Sequence, residues 1–380
     1  MKNMPWRDFS ALVASIGVVG LGLGATIPLT ALTLDQRGIG SGIIGIMTAS
    51  SAFGILAAAP FVSRWVAGHG PRGCMIGAII MAALSTALME ATDSLLAWGV
   101  LRFIFGACMG VLFTIGEAWV NNLAPENSRG RVVAMYTTAF TLFQLIGPAM
   151  VAGLSGSVPP FASCGALFLL ALPGMLLISG GAHGDKDEPP VAWQRILPRM
   201  WMIAIGAAFF AMFDTVALSL LPLYAMRHGI ATELAVLSAT VVLVGDTALQ
   251  FAFGWLADHV GRRKVHIGCG IAVCVLLPIL PFAAGTPWLW WTLLLVLGAV
   301  AGAIYMLSLV ACGERFDGQS LVAASAVVNA SWGITSAGGP LVTGVLMQTA
   351  GINALPAVLW CGAAIFIASA FWEYRQGYKD

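Results

Sequence analysis

The stretch GWLADHVGRRKV, Gly254 to Val265, gathers five ionisable residues into twelve (Asp258, His259, Arg262, Arg263 and Lys264) in a chain where charged residues are 9% of the total. Around it the chain is apolar: 59% of its 380 residues are hydrophobic, with 18 Lys and Arg against 17 Asp and Glu. Its mean hydropathy is +0.90. So few polar groups cannot cover a water-soluble globule of this size, which makes the chain an integral membrane protein. The charged stretch then reads as a short loop between two membrane spans.

Apolar runs of ~20 residues or more, the length with which an α-helix crosses a hydrocarbon core of ~30 Å, lie at 9–33, 41–66, 74–92, 96–123, 131–154, 160–180, 198–226, 233–258, 265–284, 287–312, 320–348 and 353–373. The expected fold is all-α, with twelve transmembrane helices. The first run follows Met1 to Asp8 and is too long for the apolar core of a cleaved signal peptide, so it reads as a retained helix.

Lys and Arg sort by loop. With both termini on one side, fifteen fall there (Lys2, Arg7, Arg64, Arg72, Arg129, Arg131, Lys186, Arg195, Arg199, Arg262, Arg263, Lys264, Arg315, Arg375 and Lys379), against Arg37 and Arg227 on the other and Arg102 inside a span. Positive charge is retained in the cytoplasm. Both termini are therefore expected in the cytoplasm, and the expected location is a bacterial inner membrane. The net charge of +1 hides this asymmetry and gives no sign of a nucleic-acid partner.

One long polar interval, GGAHGDKDEPPVAWQR from Gly180 to Arg195, separates six spans from six. The expected organisation is a bundle at 1–180, a cytoplasmic linker at 181–197 and a second bundle at 198–380. The halves repeat each other. GACMG (Gly106 to Gly110) matches GAVAG (Gly298 to Gly302) at an offset of 192, and the same offset takes Gly147-Pro148 to Gly339-Pro340. IPLTALTLDQRGI at the end of the first span is echoed by LPLYAMRHGI at the end of the seventh. A shared offset over several elements marks a duplication. Parallel six-helix repeats imply a pseudo-two-fold along the membrane normal and alternating access to a site near the midplane.

On these residues the chain resembles the major facilitator superfamily. GWLADHVGRRKV is similar to that family's G-x-L-a-D-x-x-G-R-R/K loop signature, here between spans 8 and 9. The copy between spans 2 and 3, PFVSRWVAGHGPRG, keeps Arg64, Gly70 and Arg72 but has Ala67 at the aspartate position. LRFIFGACMG, with Arg102, resembles the fourth-span motif, and LIGPAMVAG resembles a loose form of the antiporter Gly-Pro motif, with Gln144 and Ile146 where small residues would continue it. GEAWVNNLAPENSRGRVVAMY (Gly116 to Tyr136) is similar to the YcaD-like branch of drug and small-molecule transporters. For Asp258, Gly261, Arg262 and Arg263 the resemblance implies a conformational gate. Asp258 with the basic cluster would lock the bundle ends, by pairing and by interaction with a helix terminus.

Charge inside a span costs ~2.5–3.5 kcal/mol or more unless paired or wetted, so Arg102, Glu117, Asp214 and Asp246 each need a reason. Asp214 precedes Arg227 by 13 residues and Asp246 follows Glu233 by 13. At ~1.5 Å per residue both lie roughly 20 Å in from the same ends of adjacent antiparallel spans. Facing each other in a low dielectric, they would not both ionise readily, and one would exchange a proton. The alternative is that each separately caps a carbonyl or water where glycine loosens the packing. Arg102 cannot shed its charge; by resemblance it biases a carboxylate or meets an anionic substrate, or else it bonds carbonyls structurally. Glu117, seven residues from Ala124, is expected to pair with Arg64, Arg131 or another loop cation as a latch.

Gln144, Gln250 and Asn329, with Tyr136, Tyr305, Trp119 and Trp332, could line a cavity or pack between helices. Trp288, Trp290 and Trp291 read as an interfacial belt. Gly147, Pro148, Gly339 and Pro340 should bend their helices. The seven Cys form no CxxC pair and the five His lie in loops or at helix ends, so neither a metal nor another cofactor is expected.

The reading is a monomeric secondary transporter exporting an amphipathic solute against protons. Proton-coupled uptake of a nutrient or metal chelate, and a receptor or scaffold that has lost transport, stay open. No HExxH, P-loop or soluble domain supports an enzyme.

Overall fold

A computed structural model of the chain describes residues 6–123, 129–153, 159–177, 196–316 and 318–375. Lys2, Lys186, Arg195, Lys379 and most of the expected linker at 181–197 lie outside the described residues, as does part of the Gly116 to Tyr136 run. The described chain is helical: α1 Trp6–Gln36, α2 Ser41–Leu88, α3 Leu95–Leu123, α4 Arg129–Gly153, α5 Pro160–Leu169, α6 Leu172–Leu177, α7 Trp201–Ser219, α8 Leu221–Arg227, α9 Thr232–Val260, α10 Arg262–Leu276, α11 Leu280–Ala283, α12 Pro287–Arg315, α13 Gly318–Thr349 and α14 Ala354–Arg375.

Helix is what an apolar chain must form in lipid, since every backbone amide then finds its partner within the segment. Ten segments are long and apolar enough to cross a membrane. The remaining two expected spans correspond to α4, whose apolar part is Thr138–Ala152, and α13. α2 holds two spans, turned at Gly70, where φ is +73° and Pro71 follows. The seventh span divides into α7 and α8 around Leu220, with Pro222 in the first turn of α8. Large apolar side chains such as Leu96, Phe251 and Phe282 are exposed, as a lipid-facing surface requires.

Contacts divide the chain into two units: Met1–Thr33 with Ile46–Lys186, and Leu34–Gly45 with Asp187–Asp380. In the first, Phe105, Trp119 and Phe168 belong to one buried apolar cluster, and Phe105 meets Phe168 edge-on at 5.6 Å. In the second, α9 and α12 pack closely, as do α7 and α13. Its short segment 34–45 is tied down by the Asp35–Arg227 ion pair at 2.7 Å. Ser41 Oγ donates to the Gly344 carbonyl, and the Gly42 amide donates to Gln348 Oε1.

Each unit repeats one seam. In the first, a Cβ on Gly106 would strike the Ser51 carbonyl, on Gly110 the Ile55 backbone, and on Gly54 the Phe103 carbonyl. In the second, Gly298 lies on the Val242 carbonyl, Gly245 on the Leu295 carbonyl, and Gly302 on the carboxyl of Asp246. Small residues let backbones touch where lipid supplies no hydrophobic drive. The matched contacts pair Ser51 with Val242 and Ile55 with Asp246, so the duplication places a carboxylate where the first half has isoleucine.

Candidate functional site

Asp246 lies in the middle of α9 and is 7% exposed. Its carboxyl occupies the notch that Gly302 leaves on α12. One turn further along α9, Gln250 Nε2 donates to its Oδ1 at 3.1 Å. Asp214, half-buried on α7, is close enough for the charge of Asp246 to act on it, and α7 touches α9. The neighbouring hydroxyls are already committed: Thr215 donates to the Ala211 carbonyl and Ser219 to the Thr215 carbonyl. Among the described residues, the side-chain hydrogen bond to Asp246 comes from a neutral donor, Gln250, on a mostly apolar helix. Two charges in such a setting repel strongly, and a proton on either relieves the repulsion.

Arg102, on α3, is 2% exposed. Its guanidinium lies 5.0 Å from the Phe105 ring centroid, a favourable cation–π geometry. Its Nε makes no hydrogen bond among the described residues. Glu117 lies fifteen residues further along the same helix, roughly 22 Å away, so the two do not form one site. Glu117 is instead close enough to act on the buried Tyr136. Gln144 is buried and Asn329 exposed.

At the other end of α9, Arg262 Nη2 binds Asp258 at 3.1 Å, and Arg262 also pairs with Glu314. Gly261 joins α9 to α10 with φ +103°, a conformation open to glycine and strained for other residues. Arg263 donates to the Ala370 carbonyl. In the first unit Arg64 is exposed, and Arg72 donates to the Leu176 carbonyl at 2.8 Å. Gly147 and Gly339 are close-contact positions, on the Gly24–Ala25 backbone and on Met212 respectively. Pro148 and Pro340 sit within continuous α4 and α13.

One expectation is corrected. Trp290 is not part of an interfacial belt: it is 1% exposed, donates Nε1–H to Ser238 Oγ and stacks toward Tyr224. Trp288, at 70% exposure, does face outward. Successive helical positions turn by ~100°, so tryptophans two residues apart cannot share a face. Three features escaped the sequence reading: Glu373, 1% exposed and paired with Arg315; the buried His266, in contact with Ser308 Oγ at 3.3 Å; and the notch at Gly302. In sequence, His266 reads only as a residue at a loop or helix end, and Glu373 is not singled out.

Twelve spans in repeated halves, with the buried Asp246 and the half-buried Asp214 within one of them, are the architecture of a membrane transporter. The family model of the Major Facilitator Superfamily matches residues 12–245 and 203–378, and the chain belongs to that family. It is 24% identical over 358 residues to the MFS-type transporter YfkF of Bacillus subtilis, covering 90% of this chain and 89% of that one. It is 25% identical over 356 residues to an MFS-type transporter of Yersinia pseudotuberculosis, covering 92% and 91%. Among solved structures, it superposes on a bacterial homologue of the lysosomal transporter Spinster with a TM-score of 0.76 at 13% identity, covering 98% of this chain and 97% of that one. A D-xylose–proton symporter gives 0.75 at 17% identity, covering 97% of each. At these identities the structures establish the fold. The chain is a multi-pass secondary transporter working by alternating access.

Proposed function

We propose that this transporter exports an amphipathic organic solute in exchange for protons, with Asp214 and Asp246 exchanging the proton. The observation that carries the reading is a buried carboxylate, Asp246, seated in the Gly302 notch with Gln250 as its side-chain donor, on a helix that touches the one carrying Asp214. Charge on both is costly, so taking up or releasing one proton gives the site two states that differ by one charge. A solute that prefers one of those states is driven by the gradient that sets the proton. The scarcity of polar side chains around the pair suits an amphipathic compound better than a sugar, whose hydroxyls would call for many partners. The charge sorting supports cytoplasmic termini and the bacterial relatives a bacterial inner-membrane location; in this reading the protein acts as a monomer, and the Gly116 to Tyr136 run supports the YcaD-like branch.

The test is flux in proteoliposomes under an imposed pH gradient, with a panel running from lipophilic amphipaths to sugars. Acid-inside vesicles should accumulate the solute if exchange is correct; accumulation by acid-outside vesicles instead would establish symport and uptake. Asp214→Asn and Asp246→Asn should abolish gradient-driven accumulation while keeping solute exchange at equal pH. Full gradient-driven flux in Asp214→Asn would end the coupling proposal.

A further inference from the structure

At the end of the second unit that carries the Gly261 turn, a cavity of about 800 Å³ opens between the starts of α7 and α10 and the end of α12. That volume is within the usual ~300–1,000 Å³ of small-molecule sites. Four arginines line it, Arg199, Arg262, Arg263 and Arg315, together with Glu314 and the buried His266. The carboxylates are unevenly distributed. Arg315 is bound by Glu373, and Arg262 by Asp258 and Glu314. Arg199 is exposed, and no ion pair among the described residues includes it.

An ion network that only braced helix ends would need no open volume at its centre. Here guanidinium groups from three helices surround space, which is unfavourable unless an anion or water fills it. α10 adds to the same potential. Its first residue is preceded by Gly261, which lines the cavity and supplies no side-chain cap. The first amides of α10 therefore lack a side-chain acceptor, and the positive end of the helix dipole lies at the wall.

We propose that this cavity binds a phosphate group, carried either by an anionic phospholipid or by a free phosphate compound. Planar guanidinium forks match phosphate oxygens in pairs, which a spherical halide cannot do, and the further oxygens of a phosphate let it meet more than one fork at once, where a carboxylate offers only two oxygens. Because Arg262 belongs both to the cavity and to the Asp258 pair, the bound phosphate competes with Asp258 and Glu314 for it and so acts on the loop joining α9 to α10. The site is separate from the Asp214–Asp246 pair and does not depend on proton coupling.

The experiment uses the purified full-length protein in neutral detergent and in vesicles. In detergent, inorganic phosphate should raise Tm saturably by a few degrees beyond sodium chloride of equal ionic strength. In vesicles, phosphatidylcholine doped with phosphatidylglycerol should stabilise the protein beyond phosphatidylcholine alone. Arg199→Gln breaks no ion pair among the described residues and should weaken the response about tenfold, with Arg199→Lys retaining part of it. A response to both probes, with free phosphate displacing the lipid effect, assigns a site open to soluble phosphates. A response to phosphatidylglycerol alone, lost in Arg199→Gln, assigns a lipid headgroup. No saturable response to either probe, or full responses in both Arg199→Gln and Arg263→Gln, overturns the proposal.

Discussion

Replacing Gly302 by alanine tests the seat of Asp246. The added methyl would occupy the place of Asp246 Oδ1. The helices cannot separate to admit it, because Gly245 and Gly298 hold the same α9–α12 seam against the Leu295 and Val242 carbonyls. The carboxyl must therefore turn out of the notch and give up its 3.1 Å bond from Gln250. Overpacking costs about 1–3 kcal/mol, and a hydrogen bond to a charged group contributes about 1.5–3 kcal/mol. Since Gln250 is half-buried and regains part of its bonding elsewhere, the expected loss is about 2–4 kcal/mol. Asp246→Ala removes the obstacle, so the double variant Asp246→Ala/Gly302→Ala should be more stable than the sum of the single losses by about 1–3 kcal/mol. Unfolding of the four proteins in mixed micelles by dodecyl sulfate titration gives the cycle. Additivity within about 0.5 kcal/mol would refute the contact. Folded Gly302→Ala should also lose proton-driven flux.

The other predictions concern the Gly261 end of the second unit. Asp258→Asn breaks a pair whose side chains are 61% and 44% exposed; such pairs contribute under about 1 kcal/mol. Its midpoint should hold while its transport rate changes more than for any substitution at the exposed Ala67, and a rate equal to wild type would remove Asp258 from the gate. Glu373→Gln takes the carboxylate from a nearly buried pair and weakens its bond from the Met202 amide. It should cost about 3 kcal/mol, visible as reduced membrane yield, with Arg315→Met/Glu373→Met recovering part. Gly261→Ala forces a Cβ onto φ +103° and should lower stability by about 1–3 kcal/mol, measurable in the same dodecyl sulfate titration.

The membrane class and the twelve spans were legible because the bilayer imposes them: backbone polar groups must be satisfied inside each segment, so composition and run length carry the answer. That Asp214 and Asp246 lie on neighbouring helices was also legible, from the succession of spans 7 and 8. Which faces those residues present was not. Contact between Asp246 and Gly302 depends on the register of two helices 56 positions apart in the chain, and no local pattern fixes it. Trp290 shows the same limit, having been grouped with Trp288 by proximity in sequence while the helix turned it inward. Arg315 was read only as a cytoplasmic charge, and Glu373 was not singled out. Their pairing needs α12 and α14 to be brought together, which only tertiary structure does.

The duplication itself says where chemistry was added. The glycine seams match in both units at two contacts down to the carbonyls they rest on, Gly106 with Gly298 and Gly54 with Gly245, so the seam belongs to the scaffold and would exist without any transported proton. Against that constant background, Ile55 in the first unit becomes Asp246 in the second, and Arg102 in the first corresponds to Leu294, which is 1% exposed. Each unit thus carries one kind of buried charge that its counterpart lacks: a cation over Phe105 in the first and an acidic pair in the second. Were these charges only packing devices, the equivalent seams show that isoleucine and leucine pack the same positions without the cost of burying charge. What argues for function is therefore the retention of charge where the sister repeat demonstrates an apolar solution. Asp246→Ile, which copies the first half onto the second, should accordingly fold at least as well as wild type and lose proton-driven transport; a variant that unfolds would return Asp246 to a structural role.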